Sequence, residues 1–496
     1  MEVKFDEQKR NFDLNHKIFR VISTVASERD VEVYVIGGWV RDQILGRPSD
    51  DIDFVVVGSG IEIAKEVARR LGRIKVFVYK NFGTAMFKYG NLQIEFVGAR
   101  KESYRRNSRK PIVENGTLED DLNRRDFTIN AMAVSLNPKT FGKLIDPFNG
   151  LSDLQKKIIR TPLDPDITFS DDPLRMMRAI RFATVLEFTI EPKSFEAIKK
   201  NRERIRIVSQ ERITEELNKI IMARKPSIGF KLLYDSGLLE IIFPQLAQLA
   251  GVDYRQGIGH KDIFLHSIAV LDNVAQKSNN LWLRWAALLH DIGKPKTKRF
   301  DGSNWTFHGH EVVGAKMIPE IFRTLKLPLN DKMKYVQKII SLHHRPMNLT
   351  GDQVTDSGIR RLIVDAGEDL DDLMTLVESD LTTSIDEKRQ RILSNFKQLR
   401  QKIAEVEEKD RLRNWKPPIN GNIIMKALDI PPSKTVGIIK DAVKDAILDG
   451  IIPNDFYAAF DYMLKIAQQM GIHPKYTDPE MFAPSQNIQN SQTEKS

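Results

Sequence analysis

The spacing of apolar residues changes period several times along this chain, and each change marks a new element. Phe12, Leu14, Ile18, Phe19 and Ile22 share one face of a helix that ends near Asp30. Val33–Ile36 is a β-branched and aromatic run, broken by Gly37-Gly38. Helical spacing returns over 39–45, and 52–57 is a continuous buried-strand pattern. A helix is predicted over 61–71, with strands around 74–79, 84–89 and 92–97. Residues 101–123 are polar, basic and rich in Ser, Asn and Gly, and read equally as a mobile loop beside a site or as a surface insertion. Beyond Asp146 the period is helical almost throughout. Residues 170–183 read as one helix, capped by Ser170 or Asp171 with Pro173 in its first turn. Residues 386–416 form a long charged helical stretch, and 419–450 are helical around a Pro-Pro turn. From about Thr477 the chain is polar and Gln/Asn/Ser-rich, which predicts disorder.

At 496 residues the chain is too long for one core. The expected division is a head over 1–165, a helical neck over 166–250, a third domain over 251–390, a helical tail over 391–476 and a disordered terminus over 477–496. The fold class is α+β, predominantly helical, with a mixed five-stranded sheet in the head. No apolar run has the length of a membrane span, and the opening MEVKFDEQKRNF has no hydrophobic signal region, so no membrane partner is expected. Cysteine is absent, which excludes disulfides and thiolate metal sites and leaves His, Asp and Glu as the available ligands. The protein is expected in the cytoplasm. A net charge of +9 favours a polyanionic partner such as RNA. No oligomeric state follows from the sequence.

The candidate chemistry begins at residues 33–57. Paired glycines between a strand end and a helix start let backbone N–H groups approach a phosphate, aided by the helix N-terminus. Asp51 and Asp53 are two apart in a strand, so both carboxylates leave the same face and could share divalent ions. An isolated DxD is more often a turn; here it lies in one strand–turn–helix–strand unit. Glu95, on an alternating strand, is a candidate third carboxylate. Arg124-Arg125-Asp126 suits a nucleotide, because guanidinium forks engage triphosphate oxygens and a carboxylate accepts from a ribose hydroxyl.

The string GGWVRDQILGRPSDDID resembles the GGxVRD…LG…DxD signature of polymerase β-like nucleotidyltransferases, in the class II tRNA nucleotidyltransferase and bacterial poly(A) polymerase family. The resemblance implies a nucleotidyltransferase (palm) head in which Asp51 and Asp53 hold Mg²⁺, with Gly37, Gly38 and Arg41 at the nucleotide. RRDFTINAMA is similar to the family's nucleotide-binding block. This assigns Arg124 and Arg125 to phosphate or site architecture, Asp126 to the 2′-hydroxyl and Asn130 to supporting the loop. Asp146 and Gly150, in a block similar to DPxxGxxDL, are expected to be structural.

Asp172 and Arg175 suggest how a protein could choose a base. A carboxylate accepts from the exocyclic amino group of cytosine or adenine while an arginine donates to the ring nitrogen. Guanine and uracil present the opposite polarity to both and are rejected. Alternatively the two residues form an ordinary intrahelical ion pair. The family's motif is EDxxR; Asp171 here replaces its leading Glu. Arg178, one turn on, is a candidate for phosphate or base.

Seven of the nine histidines fall between His260 and His344. The order His266, His290-Asp291, His310, His343, Asp380 resembles the HD phosphohydrolase superfamily, which implies a site for a transition-metal ion, with His308 and His344 in supporting positions. Together these resemblances imply an enzyme that adds C and A to tRNA 3′ ends from CTP and ATP, with pyrophosphate leaving. A poly(A) polymerase, a CC-only or A-only enzyme, or an HD phosphohydrolase whose head only binds nucleotide would share much of this pattern.

Overall fold

The head is organised on a seven-stranded sheet of order β3-β4-β5-β2-β1-β8-β9. Its strands are β1 (Val33–Ile36), β2 (Asp51–Val56), β3 (Phe77–Tyr79), β4 (Thr84–Tyr89), β5 (Leu92–Gly98), β8 (Ala133–Ser135) and β9 (Leu144–Ile145). The computed structural model describes residues 12–47, 49–80, 83–105, 108–350, 355–382, 386–410 and 415–483. β2 and β5 run parallel; the other pairs in the sheet are antiparallel. The expected five strands become seven by the addition of β8 and β9, which are only three and two residues long. Such strands carry too little alternation to register as a period.

One sheet face is the core. Ile52 and Phe54 on β2 lie in register with Ile94 and Phe96 on β5, and all four are buried. Phe54 stacks on Phe96 at 4.9 Å and meets Phe19 of helix α1 (Lys17–Glu28) at 6.2 Å. Each such ring contributes about 1.5–3 kcal/mol by leaving water. Helix α3 (Gly60–Arg70) buries Ile63, Ala64 and Val67 in the same core. On the opposite face Tyr34, Ile36, Val55 and Ala133 pack with Leu122. That leaves the Asp51 end of β2 with its acidic side chains accessible.

The region expected as a loop or insertion is ordered differently. β6 (Arg100–Arg105) and β7 (Ser108–Asn115) form an antiparallel hairpin, followed by helix α4 (Leu118–Asn123). Thr117 and Asp120 close a reciprocal capping box at the start of α4. The two segments, RKESYR and SRKPIVEN, show no regular alternation of apolar and polar residues, so no strand period marks them.

Helix α2 (Gly38–Ile44) follows β1, and α5 (Gly150–Lys156) closes the head. Asp146 accepts from the Gly150 and Leu151 N–H groups at 2.7 and 3.0 Å, which caps α5. A Cβ on Gly150 would lie 2.3 Å from the Thr128 carbonyl, so only glycine fits there. Both residues are structural.

The helix expected over 170–183 is two helices, α6 (Pro165–Asp171) and α7 (Leu174–Leu186). Asp172 lies between them with extended backbone, φ −130°. Pro173 disfavours helical geometry at the residue before it, which is the physical reason for the break.

The remaining chain divides between two compact units, 1–308 with 317–333, and 309–316 with 334–496. The boundary between these units falls within the stretch 251–390. In the first unit the buried Arg284 joins the helix Leu281–Leu289 to the neck. Its guanidinium donates to the Ile221, Ala223, Ser278 and Ala275 carbonyls. In the second unit the helices Gly421–Leu428, Lys434–Leu448 and Phe456–Gln469 surround Ile424, Ile439, Val443 and Phe460. Phe482 stacks on Phe460 at 5.6 Å. The disordered terminus expected from 477 is thus ordered to Ala483, because one aromatic side chain anchors it; residues 484–496 lie outside the described residues. Among the described residues no helix is long and apolar enough to cross a membrane.

Candidate functional site

Strand register brings the acidic residues together. Asp51 and Asp53 leave the same face of β2, and Asp53 is the direct partner of Glu95 on β5. Desolvation raises the Asp53 carboxyl above its ordinary range; Arg125 opposes this and Asp51 adds to it. Asp53 remains accessible at the floor of a recess, so it is crowded by protein rather than sealed. Glu95 is raised for the same reason, then by the charge of Asp53; Arg100 opposes and Asp51 adds. Clustered, partly desolvated carboxylates are the arrangement a divalent cation relieves, and an all-oxygen set suits a hard ion such as magnesium. The residues present fit that group.

Above the acids opens a recess of about 280 Å³. Its floor is Ile36, Asp53, Glu95 and Val97; Arg100, Arg124, Arg125 and Asp126 come from the head, and Asp172, Arg175 and Arg178 from the neck. Gly37 stands at φ +73°, and a Cβ there would lie 3.0 Å from Arg125 Nη1 and 3.9 Å from Asp53 Oδ2. The missing side chain is what lets the guanidinium approach the carboxylate. Gly38 opens α2 next to it.

Arg124 and Arg125 are held by one residue that sequence reasoning missed. Asp121, fully buried on α4, accepts from Arg124 Nε at 3.0 Å and from Arg125 Nε and Nη2 at 3.3 and 3.2 Å. Its spacing, three and four residues ahead of the arginine pair, was the available signal. Asp126 Oδ1 accepts from the Phe127 N–H at 2.9 Å and Asn130 Nδ2 at 3.1 Å, while Oδ2 accepts from Arg178 Nε at 2.8 Å. Burial alone would raise its pKa; Arg178, the Asn130 hydrogen bond and Arg175 outweigh it and bring the value to about 2. Asp126 therefore stays ionised.

Arg41 departs from its expected place. It is buried, donating through Nη1 to Asn130 Oδ1 at 2.8 Å and through Nε and Nη2 to Asp42 at 2.9 and 2.8 Å. It does not line the recess; a bidentate partner one residue away draws it inward. Asn130 in turn connects Arg41 to Asp126, which fits a supporting position. Phe182 of α7 lies behind this network, with Arg41 5.1 Å, Arg178 5.4 Å and Arg181 3.8 Å from its ring centre. Asp172 and Arg175 both reach the recess from the α6–α7 break, where Asp172 Oδ1 accepts from the Leu174 N–H and Arg175 donates to the Arg124 carbonyl. Asp172 thus lies in the non-helical break while Arg175 stands in the first turn of α7, so the two are not neighbours within one helix.

The histidine series falls in two groups. In the first unit His290 Nε2 lies 3.3 Å and His266 Nε2 3.6 Å from Asp291 Oδ2. His290 Nδ1 is 2.8 Å from the Ala287 carbonyl, which orients the ring. In the second unit His310, His343 and His344 bring ligand atoms within 4.8 Å of one another, with His343 Nδ1 set by the Ile340 carbonyl. His344, expected in a supporting position, is a full member of this cluster, its ring 4.6 Å from both neighbours. Adjacent residues at a helix end can converge once the helix stops. Three imidazoles suit a first-row transition metal. Asp380 caps the helix Leu370–Ser379 of the same unit, and His308 is exposed.

Comparison with known proteins gives three family matches: a poly(A) polymerase head domain over 33–160, a probable RNA- and SrmB-binding site of polymerase A over 187–249, and an HD domain over 263–411. The A-adding tRNA nucleotidyltransferase of Deinococcus radiodurans is 30% identical over 423 residues, 83% of this chain and 90% of that protein. The multifunctional CCA protein of Pseudomonas fluorescens is 34% identical over 308 residues, 60% of this chain and 71% of its own length. The A-adding enzyme of Aquifex aeolicus is 48% identical over 169 residues, but the match spans only 34% of this chain and 20% of that protein. A tRNA nucleotidyltransferase crystallised with a primer tRNA and an incoming ATP analog superposes with a TM-score of 0.56 at 26% identity, covering 77% of this chain and 98% of that one. With this recess in its head and these relatives along its length, the chain belongs to the tRNA nucleotidyltransferase family.

Proposed function

We propose that this protein adds C and A nucleotides to tRNA 3′ ends from CTP and ATP, releasing pyrophosphate, in the cytoplasm. The observation that carries the reading is that two residue sets line one recess, the acids Asp53 and Glu95 from the sheet and Asp172 with Arg175 from the neck. Asp51, Asp53 and Glu95 would hold Mg²⁺, which supplies Lewis-acid activation of the primer hydroxyl and stabilises the leaving pyrophosphate. Arg124 and Arg125, fixed by Asp121, face the triphosphate as a preorganised cationic wall. Asp126, kept ionised, has lone pairs remaining for a ribose hydroxyl. Asp172 accepts from the exocyclic amino group and Arg175 donates to the ring nitrogen, a pattern shared by C and A and denied to G and U.

A second reading, addition of the terminal A alone, is favoured by the A-adding names of two relatives, one matching most of this chain. Sequencing of products separates the readings. Trimmed tRNA lacking CCA and tRNA lacking only the last A are each incubated with the four nucleotides. Completed CCA on the first substrate supports the proposal; extension of the second alone supports A addition. Long adenosine runs on either would establish a poly(A) polymerase.

The His310–His343–His344 cluster and the His266–His290–Asp291 group support a metal-dependent phosphohydrolase reading of the HD segment, with phosphorylated RNA 3′ ends as substrate. Release of phosphate from an RNA bearing a 3′-phosphate, abolished in His290→Ala, tests it. In that reading His290→Ala leaves nucleotide addition intact.

A further inference from the structure

Two short hairpins far along the chain from the head recess have a chemistry the reading above does not use. Tyr254–Arg255 pairs with Ile258–Gly259, and Arg299–Phe300 pairs with Trp305–Thr306. Trp305 Nε1 donates to the Ile258 carbonyl at 3.0 Å and locks one hairpin against the other. His260 meets the Trp305 ring edge-on at 5.5 Å, which stiffens the junction.

Tyr254 is the exposed member. It is 70% accessible, and its ring lies across Gly259, where a Cβ would come 2.6 Å from its Cε1. The ring is braced by backbone from one side and open on the other. Two cations lie at the adjoining Trp305: Arg255 is 5.7 Å from its ring centre and Lys298, which also pairs with Asp253, 5.5 Å. Residues 251–262 and 294–308 together carry six basic side chains (Arg255, Lys261, Lys294, Lys296, Lys298, Arg299) against three acidic ones (Asp253, Asp262, Asp301); with Lys298 paired to Asp253 and Lys294 to Asp291, four basic groups remain against two acidic ones.

A braced, exposed ring on a surface with an excess of basic groups matches a nucleobase with its attached phosphates. Stacking needs a π-face on each side, and the backbone charge needs nearby cations. An acidic peptide would satisfy the cations but has no use for a braced, outward-facing ring. We propose that these hairpins form a platform that stacks an unpaired RNA nucleotide, separately from the head recess. The proposal does not depend on which nucleotides the head adds.

The test uses the full chain and a fluorescein-labelled cytidine hexamer, read by anisotropy, with nucleotide addition to trimmed tRNA measured in parallel as an independent report on the head. Tyr254→Ala is expected to weaken hexamer binding about tenfold, while Tyr254→Phe retains it. Arg255→Ala is expected to flatten the salt dependence of binding by about one phosphate contact, a slope change of roughly 0.7. In the unsubstituted chain, a hexamer carrying 4-thiouridine should crosslink within the peptide that contains Tyr254. Parent-like binding by Tyr254→Ala, equal loss in Tyr254→Phe, or crosslinks confined to other peptides would overturn the platform.

Discussion

Arg178 of the neck donates to Asp126 of the head, Nε and Nη2 reaching the same Oδ2 at 2.8 and 2.6 Å. This contact ties the base-reading helix to the nucleotide-binding block. Because the folded Asp126 pKa is depressed from 3.8 to about 2, the pair contributes stability that is fully present above pH 4 and lost as pH falls through the lower value. At most about 2 kcal/mol is involved, and partial solvent access to Arg178 reduces it. Urea unfolding from pH 6 down to pH 2 should show a shallower acid limb in Asp126→Asn than in the parent, the other paired carboxylates accounting for what remains.

Asp121 is the second structural carboxylate. Asp121→Asn leaves two arginines without their shared partner and should destabilise the head by about 3 kcal/mol. The more informative readout is kinetic: KM for the incoming nucleotide rises more than kcat falls, because the arginines lose position rather than charge. A rise confined to KM for tRNA would count against that placement.

Gly37→Ala tests the close approach beneath Arg125. The left-handed φ costs about 1 kcal/mol for a side chain, and the added Cβ presses on the guanidinium. A modest loss of thermal stability with a larger loss of nucleotide addition is expected. Equal, small losses in both would mean the approach has no catalytic consequence.

Glu95→Gln separates charge from packing. It removes one of the three like charges, so melting without magnesium should be unchanged or higher than in the parent. Magnesium should raise the melting temperature of the parent and not of the variant. Nucleotide addition should fall by about 10²–10³, as for loss of one group that acts on transition-state charge.

The three-imidazole cluster predicts metal binding independent of the head. Cobalt(II) added to the purified chain should give visible absorption bands that weaken in His343→Ala, and nucleotide addition should persist.

Periodicity and short motifs determined a good deal of this protein by themselves. The strand–glycine turn–helix–strand opening, the same-face relation of Asp51 and Asp53 and the helical character beyond the head all follow from local spacing. Local spacing does not say which strand lies beside which, so the pairing of Glu95 with Asp53 required the sheet. The hairpin over 100–115 was hidden because its residues do not alternate between apolar and polar. Arg41 looked like a nucleotide ligand until packing showed its guanidinium committed to Asp42 and Asn130. The convergence of His344 with His310 likewise depends on chain segments meeting in space, whereas Asp121 and the break at Asp172 have local causes, the arginines three and four residues on and Pro173. A residue's chemical type is written along the chain, whereas its partners, its hydration and hence its charge state are set by what the fold packs against it.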